Sequence, residues 1–310
     1  MKPATQSIDS SPPPRAAAVR SQGAFATLRD VIALGKPRIT FMVLVTTAAG
    51  IWLAPTPLGT ARAVVTLFGV ALIVAAANAF NMYMERDVDA LMRRTRNRPL
   101  PAGRLQPEVA LGFGMFCGVL ALPLVRAAAN PLTAALALAS LVLYVFAYTP
   151  LKRRSTWALV VGAVPGAIPA LLGWTASTGS LDAPGLAIFA VLFVWQIPHF
   201  IAISTFRADE YGRAGLKVVP NERGVDGARW RIIAWSVVQF AASLLVLKTG
   251  VGGRFYLGAA FALGAVLMAV CGLGLRPMTR EQTNRWARWF FLYSIVYLPV
   301  LFAALVLGRS

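Results

Sequence analysis

The stretch AVVTLFGVALIVAAANAFNMYM, residues 63–84, decides the fold class, because it is apolar over most of its length and contains no charged side chain. A hydrocarbon core roughly 30 Å thick is crossed by a helix of about 20 apolar residues. The chain then runs directly into ERDVDALMRRTRNRPLP, residues 85–101, where charged residues are dense. The pattern predicts a transmembrane helix that ends in a polar segment at one membrane surface.

The whole chain repeats this apolar character. Of its 310 residues, 57% are hydrophobic and only 14% are charged, which excludes an ordinary soluble domain. Its two cysteines, Cys117 and Cys271, each lie in an apolar stretch, which excludes a disulfide framework and a cysteine zinc site. A net charge of +18 would suggest a nucleic-acid partner in a soluble protein, but membrane topology explains it here, and no such partner is expected.

Nine apolar segments are long enough to span a membrane. They lie near residues 38–55, 63–84, 108–126, 131–149, 157–175, 185–206, 231–249, 255–275 and 287–307. We therefore predict one all-α membrane domain over residues 31–310, a bundle of nine transmembrane helices. Residues 1–30 contain a segment rich in Pro, Ser and Ala and no signal-peptide core, so we predict a disordered cytoplasmic tail.

Lys and Arg residues are distributed unequally between alternate loops. With the N-terminus in the cytoplasm, 25 of the 30 fall on the cytoplasmic side and 5 on the other. Cytoplasmic loops of membrane proteins retain positive charge. The sequence therefore predicts a multi-pass membrane protein with a cytoplasmic N-terminus. We expect this membrane to be a bacterial inner membrane.

A polar stripe ends the predicted helix of residues 63–84. Asn81, Glu85 and Asp89 follow one another at intervals of four residues, so they share one helix face. Their oxygens suit a hard cation, and Mg²⁺ in particular uses one or two carboxylates together with substrate phosphates. A general acid/base pair and a solvated helix end are the alternatives for these side chains.

Basic residues surround this stripe on the same predicted side. They include Arg94 and Arg98 in the loop after the second span, and Lys152 and Arg153 after the fourth. Mg²⁺ and a diphosphate between the two groups would give each a partner. The metal would bind carboxylate and phosphate oxygens, and the basic side chains would bind the remaining phosphate oxygens. The alternative anion is the headgroup of an acidic phospholipid. Membrane lipid is an expected partner in either case.

Residues 81–101 resemble the first acidic motif of the UbiA-type intramembrane prenyltransferases, an N-x-x-x-D-x-x-x-D pattern followed by R-T-x-x-R-P. Further stretches resemble the branch of that family that attaches farnesyl to haem. They are YTPLKR at 148–153, GAVPGAIPALLGW at 162–174, PHF at 198–200 and DEYGRAGLKVVP at 209–220. The resemblance covers roughly residues 30–305.

The resemblance implies a central cavity, capped by cytoplasmic loops, that holds a prenyl diphosphate. It implies transfer of farnesyl from farnesyl diphosphate to a vinyl group of haem b, with addition of water, giving haem O for terminal oxidases. Mg²⁺ is the implied cofactor and haem b a substrate, and oxidase assembly proteins are implied as partners.

The resemblance also assigns roles to individual residues. Asn81, Glu85, Asp89 and Asp209 become catalytic residues that bind the metal, and Arg94, Arg98, Lys152 and Arg153 become diphosphate ligands. Two positions depart from the family pattern. Glu85 stands where the family has Asp, and Asp209 is followed four residues later by Arg213, which weakens a two-metal arrangement.

His199 is the one histidine of the chain and lies inside the sixth predicted span. An ionisable residue at that depth suggests function, and imidazole is a common axial ligand of haem iron, so we predict that His199 binds haem. A hydrogen-bonded core histidine is the alternative.

Two other functions share much of this pattern. A prenyltransferase with a quinone or chlorin acceptor would use the same diphosphate apparatus without needing His199. A transporter of an anionic lipid or metabolite is disfavoured, because the charges concentrate at one membrane face, whereas transport sites lie near the midplane.

Overall fold

A computed structural model of the protein describes residues 24–309, which form helices joined by loops, with no strand among them. The helices are α1 (Ala24–Leu34), α2 (Pro37–Leu53), α3 (Thr60–Ala90), α4 (Pro107–Ala128), α5 (Pro131–Leu151), α6 (Ala158–Thr178), α7 (Ala183–Phe206), α8 (Ala208–Arg213), α9 (Val219–Leu245), α10 (Arg254–Leu273) and α11 (Arg280–Leu307). Helix α9 is kinked at Gly224 and is extended by a 3₁₀ turn, Val246–Thr249.

Within residues 24–309, eight of these helices are long and apolar enough to span a membrane. The number becomes nine when α1 and α2, which meet at a bend of 43°, are counted together as one span. The predicted all-α membrane fold with nine spans is therefore confirmed. Large apolar side chains such as Phe116, Val119 and Leu307 face outward, as lipid contact requires.

The N-terminal boundary differs from the prediction. Most of the predicted disordered tail, residues 1–30, lies outside the described residues, but residues 24–30 belong to α1. This helix has tertiary partners, because Leu34 packs with Ala79 and Met82 of α3, and Asp30 is paired with Arg104. Helix α1 therefore includes seven residues, 24–30, that the prediction placed in the tail.

Helices α6 and α7 form the centre of the bundle. Helix α6 contacts α2, α5 and α7, while α7 also contacts α9 and α11. Small residues allow the closest approach, which lies between α2 and α6. A Cβ atom on Gly173 would overlap the carbonyl oxygen of Thr47, and one on Gly50 would overlap that of Ala170.

Helix α3 is longer than its predicted span. Its 31 residues extend about 46 Å at 1.5 Å per residue, well beyond a hydrocarbon core of roughly 30 Å. The last turns therefore carry Glu85 and Asp89 to the end of the bundle at which α5 and α7 also terminate. We call this end of the bundle the polar end.

Candidate active site at the polar end

The predicted stripe on α3 is buried. Asn81, Glu85 and Asp89 are 2%, 9% and 1% exposed, whereas the side chain of Asp87, on another face of the same helix, is 80% exposed. Burial of two carboxylates is costly unless each is paired. A simple solvated helix end is therefore excluded.

Each of the three stripe residues is bonded to a basic side chain. Lys152 Nζ donates to Glu85 Oε1 and Oε2 at 2.9 and 3.1 Å, and Arg98 Nη1 donates to Asp89 Oδ2 at 2.5 Å. Lys36 Nζ donates to Asn81 Oδ1 at 3.0 Å. The structure thus brings together three predicted ligands and two of the four predicted diphosphate-binding residues.

Lys152 is positioned by an irregular turn of α5. Residues Leu143–Tyr148 form a π-helical turn, a feature frequent at functional sites, and Lys152 Nζ lies 4.4 Å from the ring centroid of Tyr148. Burial lowers the pKa of Lys152, but Tyr148 and the Glu85 carboxylate more than offset this, so the pKa lies above its usual range. Lys152 therefore remains a cation.

Gly162 of α6 makes room for the ring of Tyr148. A Cβ atom at position 162 would lie 2.5 Å from two carbon atoms of that ring, well inside a normal carbon–carbon contact. The position of Lys152 thus depends on a glycine in a neighbouring helix.

Arg98 is held by the loop that follows α3. Thr95 Oγ1 donates to the backbone oxygen of Asp89 at 2.8 Å, which turns the chain back over the end of α3. The same loop is tied to α1 by Arg104, whose guanidinium donates to both carboxylate oxygens of Asp30 at 2.8 and 3.1 Å. This bidentate pair stabilises the loop that presents Arg98 to the stripe.

Lys36 was not predicted as a site residue. It lies between α1 and α2 with a φ of 48°, the one positive φ of a non-glycine residue in the part of the chain described. The only signal in the sequence is a lysine immediately before the proline that begins a span, which by itself also fits a topology anchor.

Three predicted residues lie apart from this cluster. The side chain of Asp209 is 79% exposed, and its Oδ1 accepts from Arg280 at 2.7 Å. Arg94 and Arg153 are exposed at the surface of the polar end. Between residues 24 and 309, no three His, Cys, Asp or Glu side chains are placed together to hold a metal. The roles of Asp209, Arg94 and Arg153 stay predictions.

His199 lies inside the bundle, seven residues and about 10 Å along α7 from its end at Phe206. Its ring is packed between two aromatic side chains, with centroids 4.6 Å from Trp195 and 4.7 Å from Phe291. Its Nδ1 is hydrogen-bonded to Ser294 Oγ at 2.7 Å. These contacts fix the orientation of the His199 ring. The residue lies in the half of α7 that is nearer to the polar end.

The donor set defines what the polar end can bind. Carboxylate and amide oxygens of one helix face are ligands for a hard cation, and Mg²⁺ needs only one or two carboxylates when phosphate oxygens complete its shell. Lys36, Arg98 and Lys152 supply the charge that a polyphosphate needs. The arrangement suits a metal–diphosphate complex better than either ion alone.

Comparison with known proteins agrees with this chemistry. Residues 43–295 match the UbiA prenyltransferase family. Protoheme IX farnesyltransferase of Anaeromyxobacter dehalogenans (strain 2CP-C) is 49% identical over 286 residues, which cover 92% of this chain and 95% of that protein. The protein of the same name from Myxococcus xanthus (strain DK1622) is 49% identical over 280 residues, covering 90% and 94%.

Solved structures share the fold. A digeranylgeranylglyceryl phosphate synthase superposes with a TM-score of 0.78 at 15% identity, covering 91% of this chain and 98% of that one. A UbiA homologue from Archaeoglobus fulgidus, bound to DMAPP and Mg²⁺, superposes with a TM-score of 0.64 at 20% identity, covering 89% and 99%. At these identities the likeness establishes the fold alone.

Proposed function

The chain belongs to the UbiA prenyltransferase family and is a prenyltransferase, and we propose that it transfers farnesyl from farnesyl diphosphate to a vinyl group of haem b. The vinyl carbon forms a bond to C1 of the farnesyl group as the bond from C1 to the diphosphate oxygen breaks. Water adds to the remaining cationic carbon and loses a proton. The products are haem O and diphosphate.

The observation that carries the donor half of this proposal is the meeting of Glu85 and Asp89 with Lys152 and Arg98 at one end of an apolar bundle. A prenyl diphosphate combines a charged head, which suits the polar end, with an apolar tail, which suits the space between the helices. The acceptor half rests on similarity along nearly the whole length of relatives named protoheme IX farnesyltransferase.

We assign Asn81, Glu85 and Asp89 as the residues that hold Mg²⁺, because their oxygens share one buried helix face. When bound, Mg²⁺ supplies Lewis-acid stabilisation of the departing diphosphate. A UbiA homologue from Archaeoglobus fulgidus, which shares the fold, has been solved with DMAPP and Mg²⁺ bound.

The basic residues bind the diphosphate and stabilise its charge as it departs. We assign this task to Lys152 and Arg98, which would exchange their carboxylate partners for phosphate oxygens. Arg94 and Arg153 extend the same positive surface. Asp209, the carboxylate of the second motif, is proposed as a further ligand, and Asp209→Asn tests it, since a purely structural pair with Arg280 predicts little change in activity.

His199 is proposed to bind the iron of haem b, because imidazole nitrogen is a common axial ligand and the ring is already fixed by its neighbours. Because haem is a substrate, the bond between His199 and the iron has to break when the product leaves. We expect the haem product to pass to proteins that assemble terminal oxidases.

We propose that the polar end faces the cytoplasm of a bacterium, in its inner membrane. The support is the distribution of Lys and Arg, 25 against 5, and the bacterial relatives. Cysteine labelling from either side of the membrane at exposed loop positions tests this orientation.

The purified protein is incubated with haem b, farnesyl diphosphate and Mg²⁺, and the extracted porphyrin is analysed by mass spectrometry. A mass gain of farnesyl plus water that disappears with EDTA and in Glu85→Gln is the expected result. No gain on haem, with prenylation of a quinone or chlorin acceptor instead, would reject the acceptor and leave the prenyl transfer intact.

A further inference from the structure

Ser294 of α11 is the hydrogen-bonding partner of the single histidine. Its Oγ lies 2.7 Å from His199 Nδ1, and the two residues are 1% and 9% exposed. The same Oγ donates to the backbone oxygen of Phe291 at 2.7 Å. The serine therefore connects the imidazole to the backbone of a second helix.

The number of protons in this chain of hydrogen bonds favours one tautomer of His199. A hydroxyl group has one proton, and a carbonyl oxygen only accepts. Because the proton of Ser294 goes to Phe291, the bond between Ser294 Oγ and His199 Nδ1 needs a proton from the ring. This arrangement corresponds to a neutral His199 that is protonated on Nδ1 and carries the free lone pair on Nε2.

The surroundings leave Nε2 available. Trp195 and Phe291 lie at small interplanar angles of 26° and 32° to the imidazole, and Phe200 packs edge-on to it at 5.3 Å. An axial ligand uses the lone pair in the plane of the ring. Among residues 24–309, Nε2 has no hydrogen-bond partner, and His199 keeps 9% of its surface exposed. Nε2 is therefore the ring nitrogen that is left for a ligand.

A second contact to Ser294 fixes one of these aromatic neighbours. Trp195 Nε1 donates to the backbone oxygen of Ser294 at 2.8 Å. Trp195 and His199 are four residues apart on α7, so one residue of α11 orients both rings.

We infer that Ser294 is a positioning residue, which holds His199 in the Nδ1–H tautomer and so presents the Nε2 lone pair to the iron of haem b. The inference rests on the proposed haem substrate. In the other tautomer, the Nδ1 lone pair would face the Ser294 oxygen, and the hydroxyl would have to give up Phe291 to restore a hydrogen bond. Partners of this kind commonly change metal affinity 10–100-fold when removed.

The tautomer can be measured without haem. Because the chain has one histidine, nitrogen-15 labelling of histidine gives the signals of a single imidazole, provided that the purification tag contains no histidine. We expect a protonated Nδ1 and an unprotonated Nε2 in the wild type, and a shift of the proton toward Nε2 in Ser294→Ala. An unchanged ring in Ser294→Ala, or a wild-type ring protonated on Nε2, overturns the inference.

Haem titration measures the consequence, through the Soret band and the electron paramagnetic resonance of ferric haem. Ser294→Ala is expected to weaken haem binding about 10-fold and to reduce the histidine-ligand signature, while Ser294→Thr, which keeps a hydroxyl, restores both. Ser243→Ala is the matched control. Ser243 is also buried, its hydroxyl donates to the carbonyl of Phe240 at 2.7 Å, and its backbone oxygen accepts from the hydroxyl of Tyr256 at 2.7 Å. It forms no hydrogen bond to His199.

The outcomes separate this inference from the proposed function. A wild-type protein with the expected tautomer that prenylates another acceptor and not haem refutes the proposed function and the haem role of Ser294 together. A wild type that farnesylates haem, with Ser294→Ala unchanged in tautomer and haem affinity, refutes the positioning role alone. A loss of haem binding in Ser243→Ala equal to that in Ser294→Ala also refutes it.

Discussion

Replacing Gly162 by alanine tests whether the packing behind Tyr148 controls the diphosphate site. The added Cβ would lie 2.5 Å from Tyr148 Cδ2 and Cε2, whereas carbon atoms in normal contact are about 3.5–4.0 Å apart. The ring must therefore move by about 1 Å. Lys152 lies over this ring and bonds Glu85, so the lysine moves with it.

The expected magnitude follows from this displacement. A misplacement of about 1 Å at a catalytic group can reduce the rate about 100-fold, which corresponds to about 2.7 kcal/mol of lost transition-state stabilisation. We therefore expect Gly162→Ala to lower kcat/KM for farnesyl diphosphate by about 100-fold. The assay is the initial rate of porphyrin prenylation at limiting and saturating farnesyl diphosphate.

Gly272→Ala on α10 is the matched control, because a Cβ there meets nothing within 4 Å. It should keep the wild-type rate. Thermal unfolding and gel filtration of both variants establish that they are folded. A folded Gly162→Ala protein with kcat/KM within about twofold of the wild type would refute the reasoning, since Tyr148 would then not position Lys152.

Three further predictions concern the charge cluster and the helix packing. Asp89→Asn should reduce kcat at least 100-fold at saturating Mg²⁺ while the protein remains in the membrane. Asp87→Asn, which changes an exposed acid on the same helix, should leave kcat unchanged. Equal losses of kcat for the two variants in steady-state assays would contradict the metal assignment. Lys36→Met should raise KM for farnesyl diphosphate about 10-fold, because a charge-assisted hydrogen bond contributes about 1.5–3 kcal/mol, with KM for haem as the internal comparison. Gly173→Ala should destabilise the protein by about 1–3 kcal/mol, because the added methyl group overpacks α2 against α6. The measurement is the midpoint of thermal unfolding, which should fall in this variant. Gly272→Ala should unfold at or above the wild-type temperature.

Much of the architecture was accessible from the sequence, because a membrane imposes a length and a composition on every span. The apolar segments, such as residues 63–84, therefore predicted the spans in their order along the chain, although α3, α9 and α11 extend several residues beyond the predicted segments. The spacing of Asn81, Glu85 and Asp89 likewise fixed their common face, since an α-helix repeats every 3.6 residues.

Partners distant in the chain were decided only by the tertiary structure. Lys36 meets Asn81 from 45 positions away, and Ser294 meets His199 from 95 positions away, so no local period connects them. The burial that makes these contacts energetically important comes from helix packing, which the hydropathy of single segments does not specify. Sequence alone thus determined which chemical groups reach the polar end, and packing decided which atoms face one another there.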